Sequence, residues 1–163
     1  NADFLRKYEI SLNLSRHNTS KDATLSPSVI IKKPENREEL VKYRLESAKE
    51  RLNSAKILLE CGSYKDSIGR SYYAMFTAVR ALLARDGIDY SKHAGVISYF
   101  QKEYIKTEQF DKKYSKYLSQ AVQIRNNTDY SDFFIVSQSD ANGQYEKADE
   151  FLHMIEKYLE NGK

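Results

Sequence analysis

The sequence predicts an all-α protein, an antiparallel up-and-down bundle of four to five helices, and three observations carry that expectation. Apolar residues recur at alternating spacings of three and four, as Leu45, Ala48, Leu52, Ala55 and Leu59 do, which gathers them into one stripe on a helix. The joins between such segments are short and carry helix-stopping residues, Gly62 and then Asp86-Gly87. Beyond the first 34 residues no segment alternates apolar and polar positions as a half-buried strand does. The 163 residues suffice for one domain with a real core and are too few for two comfortable ones.

Residues 1–34 differ in character from the rest of the chain. Phe4, Leu5, Tyr8, Ile10, Leu12 and Leu14 suit a short helix or strand. Asn18 to Asp22 and Ser26-Pro27-Ser28 read as loop, and Val29-Ile30-Ile31 is a β-branched run ending at Lys32-Lys33-Pro34. The expectation is a partly ordered leader, with a partner-binding arm or the tail of a preceding region as the alternatives. The first residue is Asn1 rather than Met, which suggests a vector remnant or a domain cut from a longer protein.

Residues 35–163 form the predicted bundle domain. Pro34 suits the first turn of the first helix, where Glu35, Glu38 and Glu39 complement the positive helix start. A second helix, about Tyr64 to Arg85, is apolar over most of its circumference and is expected at the centre. Ser91 is the expected N-cap of a third helix carrying Tyr99, Phe100, Tyr104 and Ile105. A fourth is expected from about Gln109 to Asn127, then an aromatic connection over 128–138, then a last helix over roughly 140–160. Gly69 lies within the second helix, where it costs about 1 kcal/mol relative to Ala. Close approach by another helix is the expected return.

Composition narrows the function classes. No apolar run is long enough to span a bilayer and no signal-peptide pattern is present, so a cytoplasmic protein is expected. The single Cys61 rules out an intrachain disulfide framework and fits a reducing compartment. There is no Cys or His cluster, so no metal is expected, and the absence of P-loop and Rossmann glycine patterns leaves no cofactor expected. The net charge is +3 and it is unevenly spread. Residues 61–130 carry eleven basic and seven acidic side chains, and residues 131–163 carry three and seven. That segregation can steer an anionic partner towards one face.

Four segments, in order, carry a family resemblance. The second helix reads Gly69-Arg70-Ser71-Tyr72-Tyr73-Ala74-Met75-Phe76-Thr77-Ala78-Val79-Arg80-Ala81-Leu82-Leu83. Upstream stand Ala48, Leu58-Leu59-Glu60 and Gly62 to Ser67; downstream come His93-x-Gly95-Val96 with Phe100, and Arg125-Asn126-x-x-Asp129-Tyr130. Together, over about residues 42–160, they resemble the HEPN domains of bacteria and archaea. The resemblance implies a HEPN-like helical bundle that forms a homodimer. It further implies RNA or nucleotide engagement, a metal-independent endoribonuclease acting as the toxin half of a toxin–antitoxin or defence system, and a nucleotidyltransferase-type antitoxin as partner. Active members carry Arg, often followed by Asn, and a His four to six residues beyond the Arg, two such motifs meeting across the dimer. Cleavage without metal needs a base for the 2′-hydroxyl and a cation for the phosphate, which is what those residue types supply.

Arg125 and Asn126 match that pattern, whereas Tyr130 stands where the His is expected. A tyrosine, with a pKa of about 10, is a poor base at neutral pH although it can donate a hydrogen bond. The candidate catalytic residues are therefore Arg125, Asn126 and Tyr130, with His93 as a replacement acid or base if the fold brings it to Arg125. Read for packing alone, Arg125 and Asn126 are ordinary helix-ending residues and His93 simply opens a helix. Arg70 and Arg80 lie ten residues apart and so share a helix face, where they could bind phosphate or pair with acids such as Asp66. The alternative function is a non-catalytic, nucleotide-binding or partner-binding dimeric module.

Overall fold

The computed structural model describes residues 10–12, 29–31, 34–130 and 135–162, with side chains over 36–128 and 135–162. Five helices pack as an all-α bundle. They are α1 (Pro34–Glu60), α2 (Tyr64–Arg85), α3 (His93–Phe100), α4 (Lys112–Tyr130) and α5 (Gln138–Asn161). Beside them lies a small antiparallel sheet of β1 (Ile10–Leu12), β2 (Val29–Ile31) and β3 (Ile88–Asp89), in that order. Of the leader expectations, Phe4, Leu5, Tyr8, Leu14 and the loop over 18–28 lie outside the described residues.

The β-branched run Val29-Ile30-Ile31 is a strand, and it pairs in two directions: Ile10 opposes Ile31, and Ile30 opposes Ile88. The third strand escapes the sequence pattern because two residues are too short to display alternation. Gly87 makes it possible. At φ +79° it turns the chain directly out of α2 into β3, a conformation that side chains with a Cβ adopt at a cost.

α2 is the central helix. Tyr72, Ala74, Met75, Phe76, Ala78, Val79, Ala81, Leu82 and Leu83 are all buried in one core. Its neighbours are α1, α5, α4 and α3. Ala48 and Ala55 of α1, Ala121 of α4 and Ala148 of α5 are fully buried small residues, which let helix backbones come close. The Ser67 hydroxyl, buried between α1 and α2, donates to the Ala55 carbonyl at 2.7 Å, so the polar group entering the core is satisfied. The apolar, aromatic surface of α2 is thus used inside the chain. Among the described residues, the large apolar side chains left exposed are Tyr43 and Ile57 on α1, and Ile135.

Three local expectations need correction. Gly69 does not mark a close helix approach, because a Cβ placed there meets nothing within 4 Å. The N-cap of α3 is Lys92 rather than Ser91, with extended backbone at Lys92 and no side chain capping the helix. α4 starts at Lys112, later than expected, because the Asp111 carboxylate accepts from the Lys113 amide at 2.7 Å and fixes the helix start there. Phe110 just before it points into the core instead of beginning the helix. α3 itself runs on into a π-helical turn, Gln101–Ile105, which seats Tyr104 and Ile105 in the core.

α5 begins with a reciprocal cap. The Ser137 hydroxyl accepts from the Asp140 amide, and the Asp140 carboxylate accepts from the Ser137 amide. Between α2 and the sheet, the buried Asp89 carboxylate accepts from Arg44 Nη2 and from Arg80 Nε and Nη2. Arg44 also donates to the Arg80 carbonyl at 2.7 Å, so α1, α2 and β3 are tied at one point.

Candidate functional site

α4 passes α2 so that Arg125 lies over the ring of Tyr73, its guanidinium carbon 5.7 Å from the ring centre. Arg51 of α1 approaches the same ring at 5.9 Å. Two guanidiniums therefore share one partly buried tyrosine, an arrangement favoured by the negative face of the aromatic ring. Arg125, itself half-buried, also donates to the side-chain oxygen of the exposed Asn126 at 3.4 Å, a long contact between chain neighbours. The Thr128 hydroxyl, one turn on, donates to the Arg125 carbonyl at 2.8 Å and holds the last turn closed.

The N-terminus of α3 meets the same place. The His93 ring lies 4.2 Å from the Phe76 ring and edge-on to Tyr73 at 6.3 Å. Its Nδ1 is 3.0 Å from the Tyr72 hydroxyl. Partial burial, and then the positive charges of Arg125 and Arg80, hold the imidazole below its ordinary value of 6.5. Both effects favour the neutral imidazole. Burial, the Tyr73 hydroxyl next, pushes Tyr72 up to about 12 against the opposing charge of Arg125, so its hydroxyl stays protonated. Tyr73, packed against Tyr72 at 5.0 Å, against the His93 ring and under the Arg125 guanidinium, brings the three residues into one neighbourhood.

Not every predicted site residue converges. Tyr130 ends α4, and its side chain lies outside those described. Arg70 is exposed. Arg80 places two of its guanidinium nitrogens on Asp89, with 37% of its side chain accessible, so its main work is structural and its charge reaches His93 only from a distance. Arg51, Tyr72, Tyr73 and Phe76 belong to this cluster; the sequence offers the aromatic residues as core or dimer-interface groups, with base stacking as the alternative, and gives no sign of Arg51. The Tyr-Tyr-x-x-Phe spacing does put the aromatic rings near one edge of α2, but that signal is shared by any buried aromatic helix. Among the described residues no three His, Cys, Asp or Glu side chains are grouped to hold a metal ion, and no helix is long and apolar enough to cross a membrane.

Residues 41–158 match the model of the HEPN domain, a span that runs from within α1 to near the end of α5. The chain belongs to the HEPN family. The HEPN region thus includes α2, the His93 segment and Arg125, and it leaves β1 and β2 outside. Relatives cover between half and about four fifths of the chain. A Thermotoga maritima UPF0332 protein is 33% identical over 127 residues, 78% of this chain and 96% of its own length. A Methanocaldococcus jannaschii protein named "Putative toxin MJ0142" is 33% identical over 115 residues, 71% of this chain and 78% of its own. A UPF0332 protein of Pyrococcus horikoshii is 43% identical over 81 residues, half of this chain and 57% of its own.

Proposed function

We propose that this HEPN protein engages RNA at the Arg125 edge of the bundle, as the endoribonuclease toxin of a toxin–antitoxin or defence pair. The observation that carries the reading is the convergence of Arg125 and Arg51 on Tyr73 beside the His93 ring. A guanidinium matches phosphate oxygens with paired donors, and an aromatic ring next to it offers a face on which a base can stack. Asn126 adds a donor and an acceptor suited to a ribose or a base edge, and Tyr130 can donate from the end of the same helix. The name of the Methanocaldococcus relative, which calls it a candidate toxin, supports the biological half of the reading.

The proposal includes two partners. One is a second copy of the chain, for which the exposed Tyr43 and Ile57 on α1 supply the apolar surface, now that α2 is enclosed in its own bundle. The other is a nucleotidyltransferase-type antitoxin. A light-scattering mass of one chain at micromolar concentration removes the first.

The test is a degradation assay with single-stranded RNA in EDTA, run beside fluorescence anisotropy on the same RNA. The parent is expected to bind and cut, and Arg125→Ala to bind more weakly and to lose cleavage. Equal, absent cleavage in parent and R125A removes the ribonuclease reading. The second reading, a non-catalytic nucleotide-binding or partner-binding module, is favoured by Tyr130 standing where the family pattern has a histidine. It predicts a thermal shift with a nucleotide or short RNA and no cleavage.

A further inference from the structure

His93 is better fixed than a residue that merely opens a helix needs to be. Its ring is held on three sides, by Phe76 at 4.2 Å, by the edge of Tyr73, and by the Tyr72 hydroxyl on Nδ1. The residue is nevertheless exposed, and among the described residues Tyr72 is its hydrogen-bond partner, made through Nδ1. A ring pinned at one nitrogen and open to solvent can exchange a proton at the other, Nε2. The groups facing it are Tyr72, Tyr73 and Arg80 from α2 and Arg125 from α4, with Arg51 of α1 behind Tyr73.

We propose that His93 is the general base for RNA cleavage, with Tyr72 as its positioning residue and Arg125 of the same chain on the scissile phosphate. This rests on the reading that the protein engages RNA. With Nδ1–H donating to the Tyr72 oxygen, the Nε2 lone pair takes the proton of the ribose 2′-hydroxyl. The freed oxygen forms a bond to phosphorus as the bond from phosphorus to the 5′-oxygen breaks. Water gives that leaving oxygen its proton, and the imidazolium returns its own to solvent, leaving a 2′,3′-cyclic phosphate and a 5′-hydroxyl. No oxidant, reductant or further reactant enters. Arg125 offsets the charge that builds on the phosphoryl oxygens. The neutral state in which Arg125 and burial keep the imidazole is the state a base requires. The base thus comes from the start of α3 and the cation from the end of α4, within one chain, and the missing histidine near Tyr130 is replaced from elsewhere in the fold.

The test measures cleavage and binding separately in the full chain with a short single-stranded RNA. His93→Ala is expected to slow cleavage about 10²- to 10⁴-fold, the usual worth of a general base, while RNA affinity stays within about threefold. Added imidazole restores part of the rate to H93A, a rescue that a purely structural histidine does not give. Tyr72→Phe keeps RNA affinity, cuts more slowly and shifts the acid limb of the pH–rate profile. Titration of the His93 ring protons by NMR, which needs no activity and reports folding as well, moves to higher pH in Arg125→Gln because a neighbouring positive charge is gone. Cleavage by H93A at the parent rate or an unmoved His93 titration in R125Q overturns the role of His93; a parent that binds RNA without cutting it overturns the ribonuclease reading on which that role rests. A parent with no measurable RNA binding overturns the underlying reading instead.

Discussion

Asp89→Ala should be the most damaging single change outside the apolar core. The carboxylate is 6% exposed and accepts from Arg44 Nη2, Arg80 Nε and Nη2, and the Tyr90 amide. Arg80 is partly in water and can rehydrate, so its share of the loss is small. Arg44 cannot: it is 7% exposed and, among the described residues, would keep its bond to the Arg80 carbonyl alone. Breaking a buried pair by removing one partner typically costs about 3–5 kcal/mol, mostly from the stranded charge. For a chain of this size that lowers Tm by about 6–20 °C. The signature is a double variant: Arg44→Met with D89A should recover most of the loss, because the stranded guanidinium is gone. Acid titration gives a second signature. Burial alone would raise the Asp89 carboxyl, but Arg80 and Arg44 outweigh it and hold it below the usual carboxylate value. The stabilisation is then complete above the unfolded value of about 3.9 and is lost as pH falls through the lower folded value, so the gap between parent and Asp89→Asn narrows below about pH 4. Urea unfolding measures all of this. A loss under about 1 kcal/mol for D89A, with an unchanged slope, would refute the reasoning.

Three further outcomes rest on particular residues. Gly69→Ala should stabilise by up to about 1 kcal/mol, since the helix gains an alanine and the new Cβ meets nothing within 4 Å; a thermal melt lower than the parent's would contradict this. Ser137→Ala removes the hydroxyl half of the cap on α5 and should cost about 0.5–2 kcal/mol in the same melts, while leaving RNA affinity as it was. If Arg125 and Arg51 each neutralise one phosphate of a single strand, log affinity should fall with log salt with a slope contribution of about −1.4, and Arg125→Ala should take away about half of it; an unchanged slope would place the phosphates elsewhere.

The helices were legible because their cause is local. Stripes at spacings of three and four, Gly62, Gly87 and Pro34 specify where helices run and stop, and α1 and α2 begin and end as those residues predict. What the sequence hid is set by groups far apart in the chain. β3 is a strand because β2 lies beside it, not because Ile88-Asp89 has a strand pattern. Arg80 reads equally as a phosphate-binding or an acid-pairing residue, and the fold supplies Asp89 as the acid, while Gly69 reads as a packing device until its surroundings prove open.

The candidate site shows the same limit most clearly. A histidine four to six residues past Arg125 would sit near it by helix geometry alone, and so can be sought in the sequence. His93 is 32 positions upstream, on another helix, and nothing local to either residue declares the meeting. Only the placement of α3 and α4 against one edge of α2 sets His93 among Tyr72, Tyr73 and Phe76 and sets Arg125 over the shared Tyr73. A motif search over this chain therefore finds a degenerate site, whereas the folded chain presents an imidazole and a guanidinium on one aromatic surface. If H93A proves inert in cleavage and intact in binding, the absence of a motif histidine ceases to be an argument against catalysis in chains of this kind, and the question becomes whether a base can reach the arginine from any helix that borders α2.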